Sequence, residues 1–275
     1  MNCESVKNQI VGWLKDYAVK SGLDGFVVGV SGGVDSALVS TLCAETGLST
    51  LVVEMPIHRP VSNIVERSAA HVEWLKSKYK NVNSNMMNLS SVYDAAEDVF
   101  FLGFGVTMTD LAKANTRSRL RMVALYSIAN TFNLLVAGTG NKVEDFGVAF
   151  FTKYGDGGVD ISPIGNLLKS QVRELAAYLG VIKDIVDAVP TDELWADTRS
   201  DEAQIGASYD ELEWAMKYCQ DRKWERNLDV PDMKALAITP PFLRQMHVVS
   251  IYLKRHEQGA HKMQMPPICP ISWEE

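Results

Sequence analysis

The sequence predicts an α/β fold, a doubly wound parallel sheet with helices on both of its faces. Short apolar runs rich in β-branched residues alternate with longer stretches of helical spacing, and this alternation is typical of a parallel sheet. The 275 residues, 47% of them hydrophobic, suffice to bury the core of one such domain. We therefore expect a single domain over residues 1–275.

The first half of the chain alternates helix and strand. Apolar residues at Ile10, Val11 and Leu14 lie on one face of a first helix. Pro56 ends the second strand because it cannot continue the hydrogen-bonded ladder. The pattern predicts a helix over 6–19, a strand over 26–30, a helix from 37, a strand over 51–55, a helix over 63–78 and a weak strand within 81–89.

The second half continues the alternation with more irregular segments. Aromatic residues mixed with glycines over 100–105 predict a loop, and the polar stretch 191–206 predicts another loop, which could serve as a lid. Gly180 ends a predicted helix. The remaining predicted elements are helices over 91–99, 116–131, 169–179, 209–218 and 241–256, a strand over 134–138, and a Pro-rich tail.

Composition excludes several classes of protein. The net charge of -7 and the pI of about 5.3 indicate no basic surface to which nucleic acid would bind. No apolar signal region or membrane span is visible, so we expect a cytoplasmic protein that binds neither nucleic acid nor membrane. The cysteines form no C-x-x-C pair and are predicted to be reduced thiols: Cys3, Cys43, Cys219 and Cys269.

A glycine-rich turn follows the first predicted strand, at Ser31-Gly32-Gly33-Val34-Asp35-Ser36. Its two glycines can adopt positive φ and have no Cβ, so successive backbone N–H groups can converge on a phosphate oxygen. Its two serines add hydroxyl donors, and the positive end of the next helix favours an anion. The turn is predicted to cradle a phosphate.

Asp35 indicates what kind of phosphate this is. A carboxylate repels a bare phosphate unless a divalent cation lies between them, so we predict a magnesium-bound polyphosphate. The turn matches neither the common P-loop, Gly-x-x-x-x-Gly-Lys-Ser/Thr, nor the dinucleotide fingerprint, Gly-x-Gly-x-x-Gly. It resembles the pyrophosphate loop of the ATP pyrophosphatase superfamily, whose members cleave ATP between its α and β phosphates. An ordinary strand-to-helix turn, in which Gly and Ser are frequent, is the structural alternative.

A second cluster follows the strand that ends at Gly138, in Thr139-Gly140-Asn141-Lys142-Val143-Glu144. Ligands of doubly wound sheets bind beyond the carboxyl ends of the strands, so Thr139 and Glu144 are expected to share a crevice with Asp35. Asp35 and Glu144 would then hold the magnesium ion together. Alternatively, Glu144 is a solvated acid in the first turn of a helix.

The loop over 147–163 carries the most specific signal. It contains Phe150-Phe151-Thr152-Lys153-Tyr154-Gly155-Asp156-Gly157-Gly158-Val159-Asp160, with more glycines and charges than a turn requires. Together with the phosphate cradle and the helix start at Asn115-Thr116-Arg117-Ser118-Arg119-Leu120-Arg121-Met122, it resembles ammonia-dependent NAD synthetases. The resemblance extends from about Gly25 to His261 and Lys262, and it implies an adenine nucleotide α-hydrolase-like sheet; a flavodoxin-like sheet is the alternative.

The resemblance implies a reaction on nicotinic acid adenine dinucleotide. ATP adenylates the nicotinate carboxylate and releases pyrophosphate, and ammonia then displaces AMP to give NAD. The implied catalytic residues are Asp35, Lys169 and Asp156, the last as the holder of ammonium, and Asp35 and Glu144 would bind Mg²⁺. Implied ATP-binding residues are Gly29, Val30, Ser31, Gly32, Gly33, Val34, Asp35, Ser36, Thr139, Lys169 and Thr191. Implied dinucleotide contacts are Arg119, Lys153, Asp160, His261 and Lys262.

Some of these residues have structural alternatives. Arg119 could pair with an acid on a helix face. Lys169 begins a predicted helix, where a cation opposes the dipole, and this placement favours a functional role. His261 and Lys262 lie in a tail that the sequence alone predicts to be disordered.

The sequence also departs from the family pattern. Many members have Thr-Asp-His in place of Thr139-Gly140-Asn141, and Gln in place of Val34, which leaves the roles of positions 140 and 141 open. One extra residue lies between Glu144 and Lys153, so this turn is expected to have a different geometry.

Other functions fit a similar cradle. GMP synthetase, argininosuccinate synthetase and tRNA-thiolation enzymes also adenylate an oxygen, but the acidic charge and the absence of paired cysteines disfavour tRNA thiolation. No length remains for an attached glutaminase domain, so we expect free ammonia or ammonia from a separate partner. A nucleotide-binding module without catalysis is the alternative from a different class. The resemblance further implies a homodimer.

Overall fold

A four-stranded parallel sheet forms the centre of the protein. The computed structural model describes residues 1–58, 62–191, 200–221 and 240–271. The strands lie in the order β3-β2-β1-β4, and every adjacent pair is parallel. Their bounds are β1 Gly25–Gly29, β2 Ser49–Glu54, β3 Val82–Met86 and β4 Leu134–Val136. A parallel bridge from Ala137 to Ile161 extends the edge beyond β4.

Helices connect and cover the strands. A π-helix over Lys142–Val148 follows β4, and a 3-10 turn over Ala260–Lys262 follows the last helix. The α-helices are α1 Cys3–Lys20, α2 Val34–Glu45, α3 Ser62–Lys78, α4 Ser90–Phe104, α5 Asp110–Phe132, α6 Lys169–Tyr178, α7 Lys183–Val186, α8 Asp201–Ile205, α9 Tyr209–Asp221 and α10 Pro240–Gly259. No helix of the described residues is long and apolar enough to cross a membrane.

Strand β1 shows why the sheet needs helices on both faces. Phe26 and Val28 pack into one core with residues of α1, α2 and α6. Val27 points to the opposite face and packs into a second core with α5. Because all three side chains are fully buried, the strand is apolar on both sides, as its continuous apolar run predicts. The predicted doubly wound α/β fold is confirmed.

The strand order creates a switch point between β1 and β4. The chain winds from β1 to β2 and β3 on one side and then returns to place β4 on the other side of β1. The residues after β1 and after β4 therefore open on the same crevice, where doubly wound sheets bind ligands. A third core, formed by the π-helix, α8, α9 and α10, covers the far side of this crevice.

One segment prediction was wrong, and a second was contradicted over Asp201–Ile205. The predicted loop over 100–105 is helical as far as Phe104, and α4 ends where Gly105 adopts a φ of 69° in the left-handed region. The interior glycine Gly103 is compatible with a helix at a small energetic cost, so it did not break α4. In the predicted loop over 191–206, residues Asp201–Ile205 form α8, and residues 192–199 lie outside the described residues. The remaining predicted helices and strands are found, with shifts at their ends.

Candidate active site

The two serine hydroxyls of the glycine-rich turn after β1 accept hydrogen bonds from backbone N–H groups of the same turn. The Ser31 backbone N–H donates to Ser36 Oγ at 3.2 Å, and the Gly33 N–H contacts Ser31 Oγ at 3.3 Å. Gly32 has a φ of 77°, which a residue with a side chain rarely adopts. Gly33 has an extended backbone and lies just before α2, so the turn leads directly into the N-terminus of this helix. This is the geometry of an anion-binding loop.

Lys169 joins the two predicted metal carboxylates. Its Nζ donates to Asp35 Oδ2 at 2.5 Å and to Glu144 Oε1 at 3.0 Å. The Lys169 side chain is only 3% exposed, against 16% for Asp35 and 15% for Glu144. The structure thus brings together three residues that are up to 134 positions apart in the chain. Removing Lys169 leaves two buried carboxylates without their counter-charge, whereas removing either carboxylate leaves Lys169 paired with the other.

The charges in this cluster depend on one another. Burial alone lowers the pKa of Lys169, but the charges of Asp35 and Glu144 and the hydrogen bonds to them raise it above its ordinary value. Burial raises the pKa of Glu144, while the charge of Lys169 opposes that shift and the charge of Asp35 adds to it. Lys169 therefore stays a cation, and it stabilises carboxylates that would otherwise repel each other.

Tyr209 is a member of this cluster that sequence reasoning missed. Its hydroxyl donates to Glu144 Oε1 at 2.5 Å and lies 3.3 Å from Asp201 Oδ2, and Lys169 Nζ lies 4.8 Å from its ring centre. Burial and the nearby carboxylates raise the pKa of Tyr209, so it is a neutral donor. Tyr209 begins α9, far along the chain, and only tertiary packing brings it to the crevice.

Asn141 is the second residue that was missed. Its amide Nδ2 donates to Asp35 Oδ1 at 3.0 Å. Its Oδ1 caps the π-helix by accepting from the N–H groups of Val143 at 3.0 Å and Glu144 at 3.2 Å. Since Asn141 is fully buried, these contacts tie the Asp35 carboxylate to the first turn of the π-helix that carries Glu144. The signal in the sequence was an Asn one residue before a helix, at the end of a strand.

The pair of Asp35 and Glu144 fits a magnesium site. Both carboxylates approach one point, the Lys169 Nζ, at 3.0 Å or less. No group of three or more His, Cys, Asp or Glu side chains gathers as a metal cage among the described residues. Magnesium usually binds through one or two carboxylates and takes its other ligands from phosphates and water. The two carboxylates are therefore oxygen donors of the kind that Mg²⁺ takes beside phosphates, and in this structure Lys169 Nζ lies between them.

A second cluster gathers four of the five predicted dinucleotide contacts. The Lys153 Nζ donates to the carbonyl of His261 at 2.6 Å, and Arg119 Nε donates to the Lys153 carbonyl at 3.3 Å. Lys262 donates in turn to the carbonyls of Ala149 and, at 2.6 Å, Phe151. The C-terminal segment and the loop after the π-helix thus hold each other, and the prediction of a disordered tail at 261 and 262 was wrong.

The remaining predicted site residues lie apart from these contacts. Asp160 accepts from the Tyr126 hydroxyl at 3.0 Å and the Val136 N–H at 2.8 Å, so it ties its loop to β4. Asp156 Oδ1 accepts from Ser118 Oγ at 2.6 Å and from the Thr152 N–H at 3.0 Å. Thr139 is partly exposed after β4, and Thr191 is the last described residue before position 200.

The fold and the site define the class of protein: a doubly wound α/β domain with a glycine-rich loop and a carboxylate pair at its switch point. The sequence matches the NAD synthase family over residues 6–252, and the chain belongs to that family.

Relatives in this family align along nearly the whole chain. The chain is 34% identical to the NH(3)-dependent NAD(+) synthetase of Methanosarcina mazei and 37% identical to that of Archaeoglobus fulgidus, each over 98% of both chains. Among solved structures, NMN synthetase from Francisella tularensis superposes with a TM-score of 0.79 at 28% identity, over 98% of this chain and 99% of that one.

Proposed function

We propose that the protein is an ammonia-dependent NAD synthetase, a ligase that uses ATP to amidate nicotinic acid adenine dinucleotide. The observation that carries this function is the Asp35–Lys169–Glu144 cluster beside the phosphate loop. A module that only bound nucleotides would not need two buried carboxylates bridged by a buried lysine, because such a cluster is costly without a ligand. Membership of the family supplies the reaction.

The first step forms an acyl adenylate. An oxygen of the nicotinate carboxylate attacks the α-phosphorus of ATP, and the bond from that phosphorus to the bridging oxygen of pyrophosphate breaks. Residues 29–36 hold the phosphates through backbone N–H groups and serine hydroxyls, and Thr139 and Thr191 bind further parts of ATP. Lys169 stabilises the charge of the departing pyrophosphate. The enzyme contributes position and charge, since the substrate carboxylate is itself the nucleophile.

Asp35 and Glu144 are proposed to hold Mg²⁺. When bound, the ion neutralises phosphate charge next to carboxylates that would otherwise repel it. Asn141 and Tyr209 keep the two carboxylates in place through the hydrogen bonds described above. The proposal is supported by the choice of oxygen donors and by their convergence, and its direct test is loss of turnover when Mg²⁺ is removed with a chelator.

The second step displaces AMP. Ammonia attacks the carbonyl carbon, a C–N bond forms, the C–O bond to AMP breaks, and a proton leaves the nitrogen. Asp156 is proposed to hold the incoming ammonium. The dinucleotide is proposed to contact Arg119, Lys153, His261 and Lys262, which cluster at the C-terminal segment, and Asp160 at β4. We further propose that residues 1–275 form one synthetase domain that acts in the cytoplasm.

A homodimer is proposed from an exposed apolar surface on α4. The side chains of Val99, Phe101, Leu102 and Phe104 are 70%, 50%, 81% and 72% exposed. Exposed apolar side chains concentrated in one helix are typical of a protein interface. Leu102→Glu is expected to convert a dimer into monomers in sedimentation velocity, and a wild-type protein that sediments as a monomer would contradict the proposal.

Formation of NMN is a second candidate activity. The structural match to the NMN synthetase of Francisella tularensis favours it, because that likeness spans almost both whole chains. The two candidates differ in whether the acid substrate carries the AMP half of the dinucleotide. They share the phosphate loop and the adenylation chemistry.

One assay separates these possibilities. Purified protein is incubated with ATP, Mg²⁺ and either nicotinic acid adenine dinucleotide or nicotinic acid mononucleotide, with ammonium or glutamine as the nitrogen source. We expect NAD, AMP and pyrophosphate in equal amounts from the dinucleotide and ammonium. A higher kcat/KM with the mononucleotide would identify the second candidate. ATP binding without any amide product would favour a module without catalysis.

A further inference from the structure

Lys169 occupies the point at which the two proposed metal carboxylates converge. Its Nζ lies 2.5 Å from Asp35 Oδ2 and 3.0 Å from Glu144 Oε1, and among the described residues these oxygens are its only hydrogen-bond acceptors. Oxygen ligands of Mg²⁺ lie about 2.1 Å from the ion. A divalent ion that both carboxylates hold would therefore fall in the place of the ammonium. The ion and the lysine cannot use this point at the same time.

The two carboxylates have further donors that hold them in place. Asp35 Oδ1 accepts from the Asn141 amide at 3.0 Å, and Glu144 Oε1 accepts from the Tyr209 hydroxyl at 2.5 Å. Both of these donor residues are buried. Each carboxylate thus keeps a buried hydrogen-bond donor besides Lys169, so it stays in position when the cation between the two carboxylates changes.

The backbone on either side of Lys169 is fixed as well. Lys169 begins α6, and the next residue, Ser170, donates to Glu213 of α9 through its N–H at 2.8 Å and its Oγ at 2.6 Å. On the other side of the lysine, the Leu168 N–H donates to Gln171 Oε1 at 2.9 Å. The part of the cluster that can move is therefore the lysine side chain, which carries its charge on a flexible four-carbon stem.

The energetic cost of moving the ammonium depends on what else the crevice holds. The Lys169 side chain is only 3% exposed, so an ammonium that leaves Asp35 and Glu144 without a new acceptor is a buried charge without its partner. A free divalent ion brings no such acceptor. The phosphates of a nucleotide bring one, because the glycine-rich loop that would hold them contains Asp35, and phosphate oxygens bound there lie within reach of the ammonium.

We propose that Lys169 makes the site selective for the metal–nucleotide complex over free metal. This inference rests on the proposed function, because it takes Asp35 and Glu144 as the metal carboxylates. Lys169 keeps the two carboxylates paired, and its ammonium passes to the phosphates when a nucleotide arrives together with the divalent ion. The side chain that stabilises the departing pyrophosphate is thus released from the carboxylates only when the complete metal–nucleotide complex is bound.

Binding of Mn²⁺ without nucleotide tests the proposal, since Mn²⁺ takes the same oxygen ligands and its free form is measured by electron paramagnetic resonance. Wild type is expected to bind Mn²⁺ only weakly, and Lys169→Met at least about tenfold more tightly, because two buried carboxylates then lack a cation. Adding Asp35→Asn to Lys169→Met should abolish this binding. Lys142→Met is the matched control. It removes a positive charge from the start of the π-helix that carries Glu144 but none from between the carboxylates, so it should bind Mn²⁺ as wild type does.

Thermal unfolding gives a second readout, which remains informative where Lys169→Met is only marginally stable. Saturating Mn²⁺ should raise the melting temperature of Lys169→Met, because the ion replaces the missing counter-charge, and should leave that of wild type nearly unchanged. Equal Mn²⁺ affinities in wild type and folded Lys169→Met would overturn the inference. A Mn²⁺ site that wild type has without nucleotide, and that Asp35→Asn removes, would also overturn it.

Calorimetric titration with the Mn²⁺ complex of α,β-methylene-ATP completes the test, because this nucleotide cannot be cleaved between its α and β phosphates. Wild type should bind the complex although it binds free Mn²⁺ weakly. If wild type shows this pattern but forms no amide from either acid substrate, the proposed function is overturned and the selectivity of Lys169 stands. If wild type does not bind the complex at all, both are overturned.

Discussion

Helix α2 contributes to two buried polar groups that differ in kind. At its N-terminus, Asp35 joins Lys169 and Glu144 in a cluster of charges. In its middle, Ser40 Oγ meets His71 Nε2 at 2.9 Å, with both residues fully buried. Ser40 and His71 resemble a nucleophile and its base, yet they lie between α2 and α3, shielded from the crevice.

The difference lies in what each group needs to be stable. Burial lowers the pKa of His71 to about 4, so it is neutral at pH 7, and its ring also stacks on Trp74 at a centroid distance of 5.5 Å. The neutral Ser40–His71 pair is part of the core even though His71 Nδ1 has no hydrogen-bond partner among the described residues. The charged cluster lies instead at the mouth of the crevice, beside the phosphate loop. A buried cluster of charges at a crevice indicates a functional site, whereas a buried neutral hydrogen bond is typical of core packing.

Lys169→Met should give the largest effect. It leaves Asp35 and Glu144 buried without their counter-charge, so we expect it to lower the free energy of unfolding by about 3–5 kcal/mol. The kcat/KM should also fall by at least about 10³-fold, since the charge that stabilises pyrophosphate is lost. Urea denaturation and steady-state kinetics measure the two effects. Full activity in a folded variant would contradict the assigned role.

Asp35→Asn should separate activity from stability. The amide keeps the shape but cannot serve as an anionic metal ligand, so we expect kcat/KM to fall about 10²–10³-fold at saturating Mg²⁺. Glu144 remains to pair with Lys169, so the unfolding midpoint should shift less than in Lys169→Met. The matched control on the same helix is Ser40→Ala, which should leave kcat/KM within about twofold.

Asn141→Ser should have an intermediate effect on activity. Serine retains an oxygen that can cap the π-helix but cannot reach Asp35, so the cap survives while the link between the carboxylates is lost. We expect kcat to fall about 10–100-fold, as for other residues that orient metal ligands, with a higher Mg²⁺ requirement and a small change in melting temperature. A change in melting temperature alone would indicate a purely structural residue.

His71→Phe should have the smallest effect on activity. Ser40 Oγ keeps its bonds to the carbonyls of Ser36 and Ala37, so no polar atom is orphaned, and kcat/KM should stay within about twofold. Its effect lies in the pH dependence of stability. Because the folded pKa of His71 is about 4, the unfolded chain binds a proton between pH 6.5 and 4 that the folded chain does not. Stability is therefore present above pH 6.5 and is lost as the pH falls.

The loss amounts to about 3 kcal/mol across that window. Urea denaturation of wild type and His71→Phe at pH 7 and pH 5 measures it. The variant should lose less stability than wild type on acidification. Equal losses in both proteins would show that other groups cause the acid dependence.

The sequence predicted β1 and β4 well because these two strands are buried on both faces. Continuous apolar runs such as Phe26 to Val28 leave little choice of structure. The end of α4 was mispredicted because Phe101, Leu102 and Phe104 are exposed on a helix. Where apolar residues face solvent, the hydrophobic pattern of the sequence no longer identifies the residues of the core.

The active site was predictable in part for a related reason. The phosphate loop and Glu144 follow neighbouring strands, so topology alone brings them to one crevice. Tyr209 and Asn141 were missed since their roles depend on atoms that only the folded chain brings within reach.

The most direct test of the charged cluster is exchange of labelled pyrophosphate into ATP, measured without ammonium. Formation of an acyl adenylate predicts exchange that requires both Mg²⁺ and nicotinic acid adenine dinucleotide, that is lost in Asp35→Asn and that is retained in His71→Phe. Exchange of equal rate in Asp35→Asn, or exchange without any acid substrate, would contradict the account.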